Sequence, residues 1–304
     1  MTGYATPVRR AGGGDERGIG KNPLMDLSFF TRGDGDALVP TELACSLWSD
    51  DQVHGVALSG ALARSLERAV TETGRADLRP ARYTVDLFRA ARMQPCELRT
   101  VVVREGRRLC LVDAVIEQDG EPVARASGLF LKPSEPAPGA VWEPETVFDP
   151  PPLELAPVSD EPRVPLFSSE RIGWSTSFGE HQNGDRKMTW QTGMPVIPDE
   201  KPSPFVAAAS IADAASMVTN WGSNGVEQIN TDITLTLART PVSLEIGLAA
   251  TDRVSSEGIA VGTATVFDRQ GRLGSVVVSS IANAQRTVDF GVHDFSDDPR
   301  ASGA

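Results

Sequence analysis

The chain has 304 residues, 40% hydrophobic and 23% charged, a composition that suits a globular protein with room for two modest cores. A formal net charge of -12 argues against a nucleic-acid partner and against an anionic membrane surface. No stretch reads as a membrane span or signal peptide. Cys45, Cys96 and Cys110 are widely spaced without a C-x-x-C pair, which fits free thiols in a reducing cytoplasm and offers no metal framework.

Residues 1 to 23 are polar and glycine-rich and read as a leader without structure. Strand-like runs follow at Ser28 to Arg32 and Ala37 to Leu47, joined by the turn residues Gly33 to Asp36. From His54, apolar residues at Leu58, Leu62, Leu66 and Ala69 keep helical spacing, and Gly74 marks an end. Four strands are then expected, at Tyr83 to Arg89, Glu97 to Arg104, Arg108 to Gln118 and Pro122 to Leu131. The last two are joined by Asp119-Gly120, a good hairpin turn. This N-terminal unit covers residues 24–132. Residues 133–167 are rich in proline and read as a semi-extended linker on the surface, contributing nothing to a site.

The same order returns in a C-terminal unit at 168–286, followed by a tail at 287–304. Strands are expected at Ser169 to Ser177 and Lys187 to Gly193, then a helix, then strands at Thr231 to Arg239, Leu244 to Asp252, Gly258 to Phe267 and Leu273 to Ala282. Arg89 and Arg239 close the first strand of each meander, 150 positions apart (239 − 89), which points to an internal duplication. The expected fold class is α+β: two antiparallel sheets, each curled around one helix whose alanines and glycines allow close approach.

The second helix, Ser203 to Gly222, carries the chemistry. Ser203 is an N-cap, Pro204 suits the first helical position, and the face is small or apolar all round. Asp213 is the one charged residue between Lys201 and Glu227. An unpaired carboxylate there is costly. Two readings follow: a residue on a wetter edge bonded to nearby backbone, or a catalytic acid in a cleft.

Several stretches resemble the double-hotdog acyl-CoA thioesterases, in particular an actinobacterial group of that family, over roughly residues 25 to 285. They are L-W-S-D-D-Q-V-H-G from Leu47, V-R-E-G-R-R from Val103, Ala212-Asp213, I-N-T-D-I-T from Ile229 and D-R-Q-G-R-L-G from Asp268. The resemblance implies hydrolysis of acyl-CoA or acyl-carrier thioesters. In such enzymes an Asp on the second helix, a Thr on the next strand and a Gln on the last strand hold the attacking water. Asp213 matches the Asp. An ungapped alignment puts Asn230 at the Thr position, whereas strand alternation points to Thr231. The Gln has no counterpart; Ser279 or Val278 stands there.

No G-x-S-x-G elbow or catalytic cysteine signature offers a covalent nucleophile, and His54, His181 and His293 leave few partners for one. Backbone amides at His54, Gly55 and Val56, where the first helix begins, suit a developing oxyanion. His54 itself reads as a cap or as a cleft donor. The arginines at 104, 107 and 108 read as a solvated turn or as a contact to phosphates of the acyl carrier. No cofactor or metal is expected, and a homo-oligomer is left open. The rival readings are a hotdog hydratase, dehydratase or other tailoring enzyme on a thioester or polyketide-like substrate, and an acyl-binding protein without catalysis.

Overall fold

The computed structural model describes residues 27–145, 148–283, 285–292, 298 and 300. The leader expected at residues 1 to 23 and part of the tail lie outside these.

The N-terminal half opens with two short pairs, β1 (Phe30–Arg32) with β2 (Leu38–Pro40) and β3 (Cys45–Ser46) with β4 (Ser49–Val53). The single strand expected over Ala37 to Leu47 is therefore broken, and a short 3-10 turn at Glu42–Ala44 breaks it. Helix α1 (Gly55–Glu72) follows, and Gly74 takes the left-handed φ of 76° that ends the helix without a Cβ penalty. Strands β5 (Arg79–Leu87), β6 (Glu97–Glu105), β7 (Leu109–Gln118) and β8 (Glu121–Leu131) form the meander. On β7, Cys110, Val112, Ala114 and Ile116 are buried in strict alternation, packing one face on α1.

The C-terminal half adds β9 (Leu166–Ser169), β10 (Ile172–Ser175) and β11 (Lys187–Thr192) before its helix. That helix is α2 (Pro204–Ile211) and α3 (Ala215–Asn220), separated by a tightened 3-10 turn at Ala212–Ala214. Ser203 caps α2 by accepting from the Val206 amide at 3.1 Å. A small hairpin, β12 (Trp221–Gly222) with β13 (Gly225–Val226), leads to β14 (Gln228–Asn230) and β15 (Asp232–Leu237). Strands β16 (Glu245–Ser256), β17 (Ile259–Asp268) and β18 (Gly271–Ala282) complete the meander.

The sheet order is β10-β9-β11-β16-β17-β18-β15-β5-β8-β7-β6, with β14 also on β18. Its two halves therefore repeat one order, β5-β8-β7-β6 and β15-β18-β17-β16, joined edge to edge through β5 and β15. At that joint Thr84 faces Thr234, residues at the offset read from the sequence. The helices meet on the same pseudo-two-fold axis, where the Ser59 hydroxyl donates to the Ala209 carbonyl at 2.6 Å, again 150 positions away. Tyr83, fully buried, donates to the Ser59 carbonyl at 2.8 Å and ties sheet to helix. Gly60 leaves room for Ser210, whose hydroxyl donates to the Val56 carbonyl at 2.8 Å. Small residues bring these backbones together.

The linker does more than lie on the surface. Phe167, Leu248 and Val266 belong to the main core, while their neighbours Leu166, Ala249 and Phe267 point to the opposite face of the sheet. There they form a second cluster with Trp190, and linker residues Phe148 and Ala156 cover it. Phe148 stacks on Phe267 at 5.8 Å, and Arg269 holds the Ala156 carbonyl at 2.6 Å. Phe148→Ala is expected to cost about 1–3 kcal/mol by removing a partly buried ring. Deleting residues 134–140, all exposed, should leave stability unchanged. Chemical denaturation of the two variants measures both, and an equal loss in each would contradict this division of the linker.

Candidate active site

Asp213 sits in the 3-10 turn between α2 and α3, 9% exposed, and faces the N-terminus of α1 across the pseudo-dyad. A β-carbon on Gly55, the first residue of α1, would overlap both oxygens of its carboxylate. The acid thus comes from one half of the chain and the helix start from the other. Asn230 Nδ2 donates to Asp213 Oδ1 at 2.9 Å. Burial pushes the carboxyl up to about 6, although the Asn230 hydrogen bond and the Val56 amide both favour the ionised form.

Of the two residues between which the sequence left the choice, Asn230 reaches the carboxylate. Thr231 lines the cavity but is exposed, and its hydroxyl donates to the Ser279 carbonyl at 3.2 Å. The reason is a β-bulge. Asn230 lies opposite Ser280, yet Thr234 lies opposite Val277, so four steps on one strand match three on its partner. The extra residue reverses the alternation that would have turned Thr231 inward. Asp232 stabilises the bulge by accepting from the Ser279 amide at 2.6 Å. Ser279, expected as a binding residue in place of the Gln, engages through its backbone and is not among the residues lining the cavity. Val278 is buried in the core.

His54 is the N-cap of α1. Its Nδ1 accepts from the Ala57 amide at 3.0 Å and its Nε2 donates to the Leu43 carbonyl at 2.9 Å. Both nitrogens are spent, and burial pushes its pKa down to about 4, so the ring is neutral and has no proton for a substrate. Among the first amides of the helix, Leu58 bonds the His54 carbonyl and Ala57 bonds the imidazole, while Val56 lies where its amide favours the ionised form of Asp213. The Gly55 amide is left without a protein partner among the described residues.

The cavity has a volume of about 660 Å³. Its walls are mainly apolar, with Phe29, Trp48, Leu87, Phe167, Met194 and Met217 among them. Two contributors were not foreseen. Arg163 and Pro165 bring the linker to the wall, and Asp298 and Arg300, paired with each other, bring in the C-terminal tail. The arginines at 104, 107 and 108 are exposed and lie outside the cavity lining. His181, fully buried, is held between Ser169 Oγ at 3.2 Å and Ser175 Oγ at 3.0 Å, also outside that lining. Among the described residues no group of three or more His, Cys, Asp or Glu side chains is placed to hold a metal ion, and no helix is long and apolar enough to cross a membrane.

The duplication has left one acid, not two. The position matching Asp213 in the first half is Ala63, fully buried. Around the start of α2 the equivalent space holds a structural ionic cluster. Arg64 clamps Glu200, with its Nη2 at 2.7 Å from Oε2, and Ser203 donates to Glu67 at 2.9 Å.

A carboxyl whose pKa is raised by folding favours the native state while protonated and loses that contribution as the pH rises through about 6. Asp213→Asn is therefore expected to be more stable than the parent protein. The gap should open from pH 4, level off above pH 7 and reach about 2–3 kcal/mol. Denaturation at pH 4, 6 and 8 tests it; a gap independent of pH would contradict the assigned burial.

The profile of the acyl-CoA thioesterase N-terminal domain matches residues 46–131, and that of the acyl-CoA thioesterase C-terminal domain matches residues 148–277. No curated protein matches the chain. Among solved structures it resembles an acyl-CoA thioesterase II, TesB2, from Mycobacterium marinum (13% identity, 75% of this chain and 88% of that one, TM-score 0.54). It also resembles the TesB protein of Mycobacterium avium subsp. paratuberculosis (17% identity, 76% and 87%, TM-score 0.54). A third is a conserved protein of unknown function with a hot dog fold from Alicyclobacillus acidocaldarius (18% identity, 86% and 98%, TM-score 0.58). At such identities the likeness speaks for the fold. With both domain profiles in sequence along one chain, and two hotdog halves joined on a pseudo-dyad, the protein belongs to the double-hotdog acyl-CoA thioesterase family.

Proposed function

We propose that the protein hydrolyses acyl thioesters, carried on CoA or on an acyl carrier, by attack of a water that Asp213 orients and deprotonates. The observation that carries this reading is a buried carboxylate, raised to about 6, held by Asn230 against a helix N-terminus on the wall of an apolar cavity. A general base works best with a pKa near the operating pH, and burial brings Asp213 towards it. The apolar walls suit an acyl chain and exclude bulk water. The Gly55 amide, at the positive end of α1, is the donor for the oxyanion that forms as water adds to the thioester carbonyl. The thiolate then leaves and the acid product carries the added oxygen.

A hydratase would use an acid and a histidine together, and His54 does share the cavity wall with Asp213. Its two nitrogens are committed to Ala57 and Leu43, which counts against that alternative. A protein that only bound acyl groups would gain nothing from the buried carboxylate.

Asp213→Asn should keep the fold and lower kcat by about two to four powers of ten. In the parent protein kcat/KM should rise with pH through an apparent pKa of about 6 and then level off, because the base must be ionised. His54 should add no second limb near neutrality. Thiol release from acyl-CoAs of two to sixteen carbons, followed between pH 5 and 9, measures both. Equal rates for parent and variant on the best substrate would sink the mechanism.

A further inference from the structure

Water held by a carboxylate alone retains freedom that slows attack, and the family Gln that would restrain it has no counterpart on β18. The substitute is to be sought among cavity-lining side chains whose polar atoms are not already engaged. Ser210 is spent on the Val56 carbonyl, Thr231 on the Ser279 carbonyl, and Asn230 on Asp213 itself. Ser216 lines the cavity, and its hydroxyl makes no hydrogen bond within the protein among the described residues.

Its position follows from the backbone. Asp213 lies in the 3-10 turn at Ala212–Ala214, and Ser216 is three residues further on, in the first turn of α3. In an α-helix residues i and i+3 are offset around the axis; in 3-10 geometry they eclipse. The tightened turn therefore brings Ser216 nearly into line with Asp213, one step along the same wall. A helical serine or threonine usually turns its hydroxyl back to a carbonyl of the preceding turn. Thr219, in the same short helix, does so, bonding the Ala215 carbonyl at 2.7 Å, and Thr71 in α1 bonds Glu67 at 2.9 Å. Ser216 makes no such bond. Its hydroxyl is left for the cavity.

We propose that Ser216 is a positioning residue that shares the attacking water with Asp213, taking the place of the Gln that the last strand lacks. The hydroxyl accepts from or donates to that water while Asp213 takes the proton. This rests on the hydrolytic reading given above. Gln52 on β4 and Thr192 on β11 also line the cavity without a side-chain partner among the described residues. No helix geometry ties either of them to Asp213, and Gln52 belongs to the other half of the chain.

The test compares Ser216→Ala, Ser216→Thr, Gln52→Ala and Asp213→Asn with the parent protein, by steady-state thiol release from the best acyl-CoA of the same series. Ser216→Ala is expected to lower kcat by about 10- to 100-fold, the usual scale for a misplaced reactant, with KM nearly unchanged. Ser216→Thr, which keeps the hydroxyl, should recover most of the loss. Gln52→Ala is expected to lower kcat less than Ser216→Ala does. If Ser216→Ala keeps the parent kcat while Asp213→Asn is inactive, this inference fails and the hydrolytic reading stands. A raised KM at unchanged kcat would place Ser216 in the acyl-binding wall, and a larger loss in Gln52→Ala would give the role to that amide; either overturns the proposal. If Asp213→Asn is as fast as the parent, the hydrolytic reading fails and Ser216 falls with it.

Discussion

The structure turns on one close approach, the carboxylate of Asp213 against the first residue of α1. Only a residue without a side chain can stand at Gly55, because any β-carbon there would occupy the space of the carboxylate. That contact requires the two helices to lie side by side. This in turn requires the small residues of their interface and the hydrogen bonds from Ser59 to Ala209 and from Ser210 to Val56. The two halves must also share a sheet edge in a fixed register, with Thr84 opposite Thr234. A slip of one residue at that edge would turn every side chain of β15 to the other face and unseat the helix pair. Site geometry and fold symmetry are therefore one constraint.

Much of this was legible in the chain. The isolated Asp213 in an apolar, alanine-rich helix announced itself, because charge in such a setting needs a reason. The offset of 150 predicted the pseudo-dyad, since two copies of one pattern pair most simply with themselves. Other features were hidden for physical reasons. Period-two reasoning pointed to Thr231, but one extra residue between Asn230 and Thr234 reverses the phase, and nothing in the local composition marks a bulge. The role of Ser216 depends on a 3-10 turn within a helix, which sequence pattern does not resolve from regular α geometry. The linker looked inert because proline discourages pairing. Yet it is Phe148 and Ala156, among the prolines, that cover the outer face of the C-terminal half of the sheet.

The unequal fate of the two halves follows from electrostatics. A duplicated hotdog offers two equivalent places where a helix start faces the partner helix. At the start of α1 a carboxylate faces a glycine and an amide, with no cation in contact among the described residues, and its ionised form is correspondingly disfavoured. At the start of α2, Arg64 binds Glu200 through two nitrogens and holds it below the usual carboxylate range, while Glu67 accepts a hydrogen bond from Ser203. One place presents its carboxylate to the cavity, while the other ties its carboxylates to Arg64 and Ser203 away from the cavity lining.

This contrast bears on the choice between an enzyme and a binding protein. Leaving Asp213 without a cation partner costs stability at neutral pH, whereas a fully buried alanine stands at the equivalent position of the first half. A cavity that only held acyl chains would be served by alanine in both places, with better packing and no desolvation penalty. A base poised near neutrality needs what Asp213 has: burial enough to lift its pKa, a hydrogen bond from Asn230 to fix its orientation, and a place on the cavity wall. The cost at this residue makes sense as the requirement of a reaction, which is the argument for the water activation proposed above over simple acyl binding.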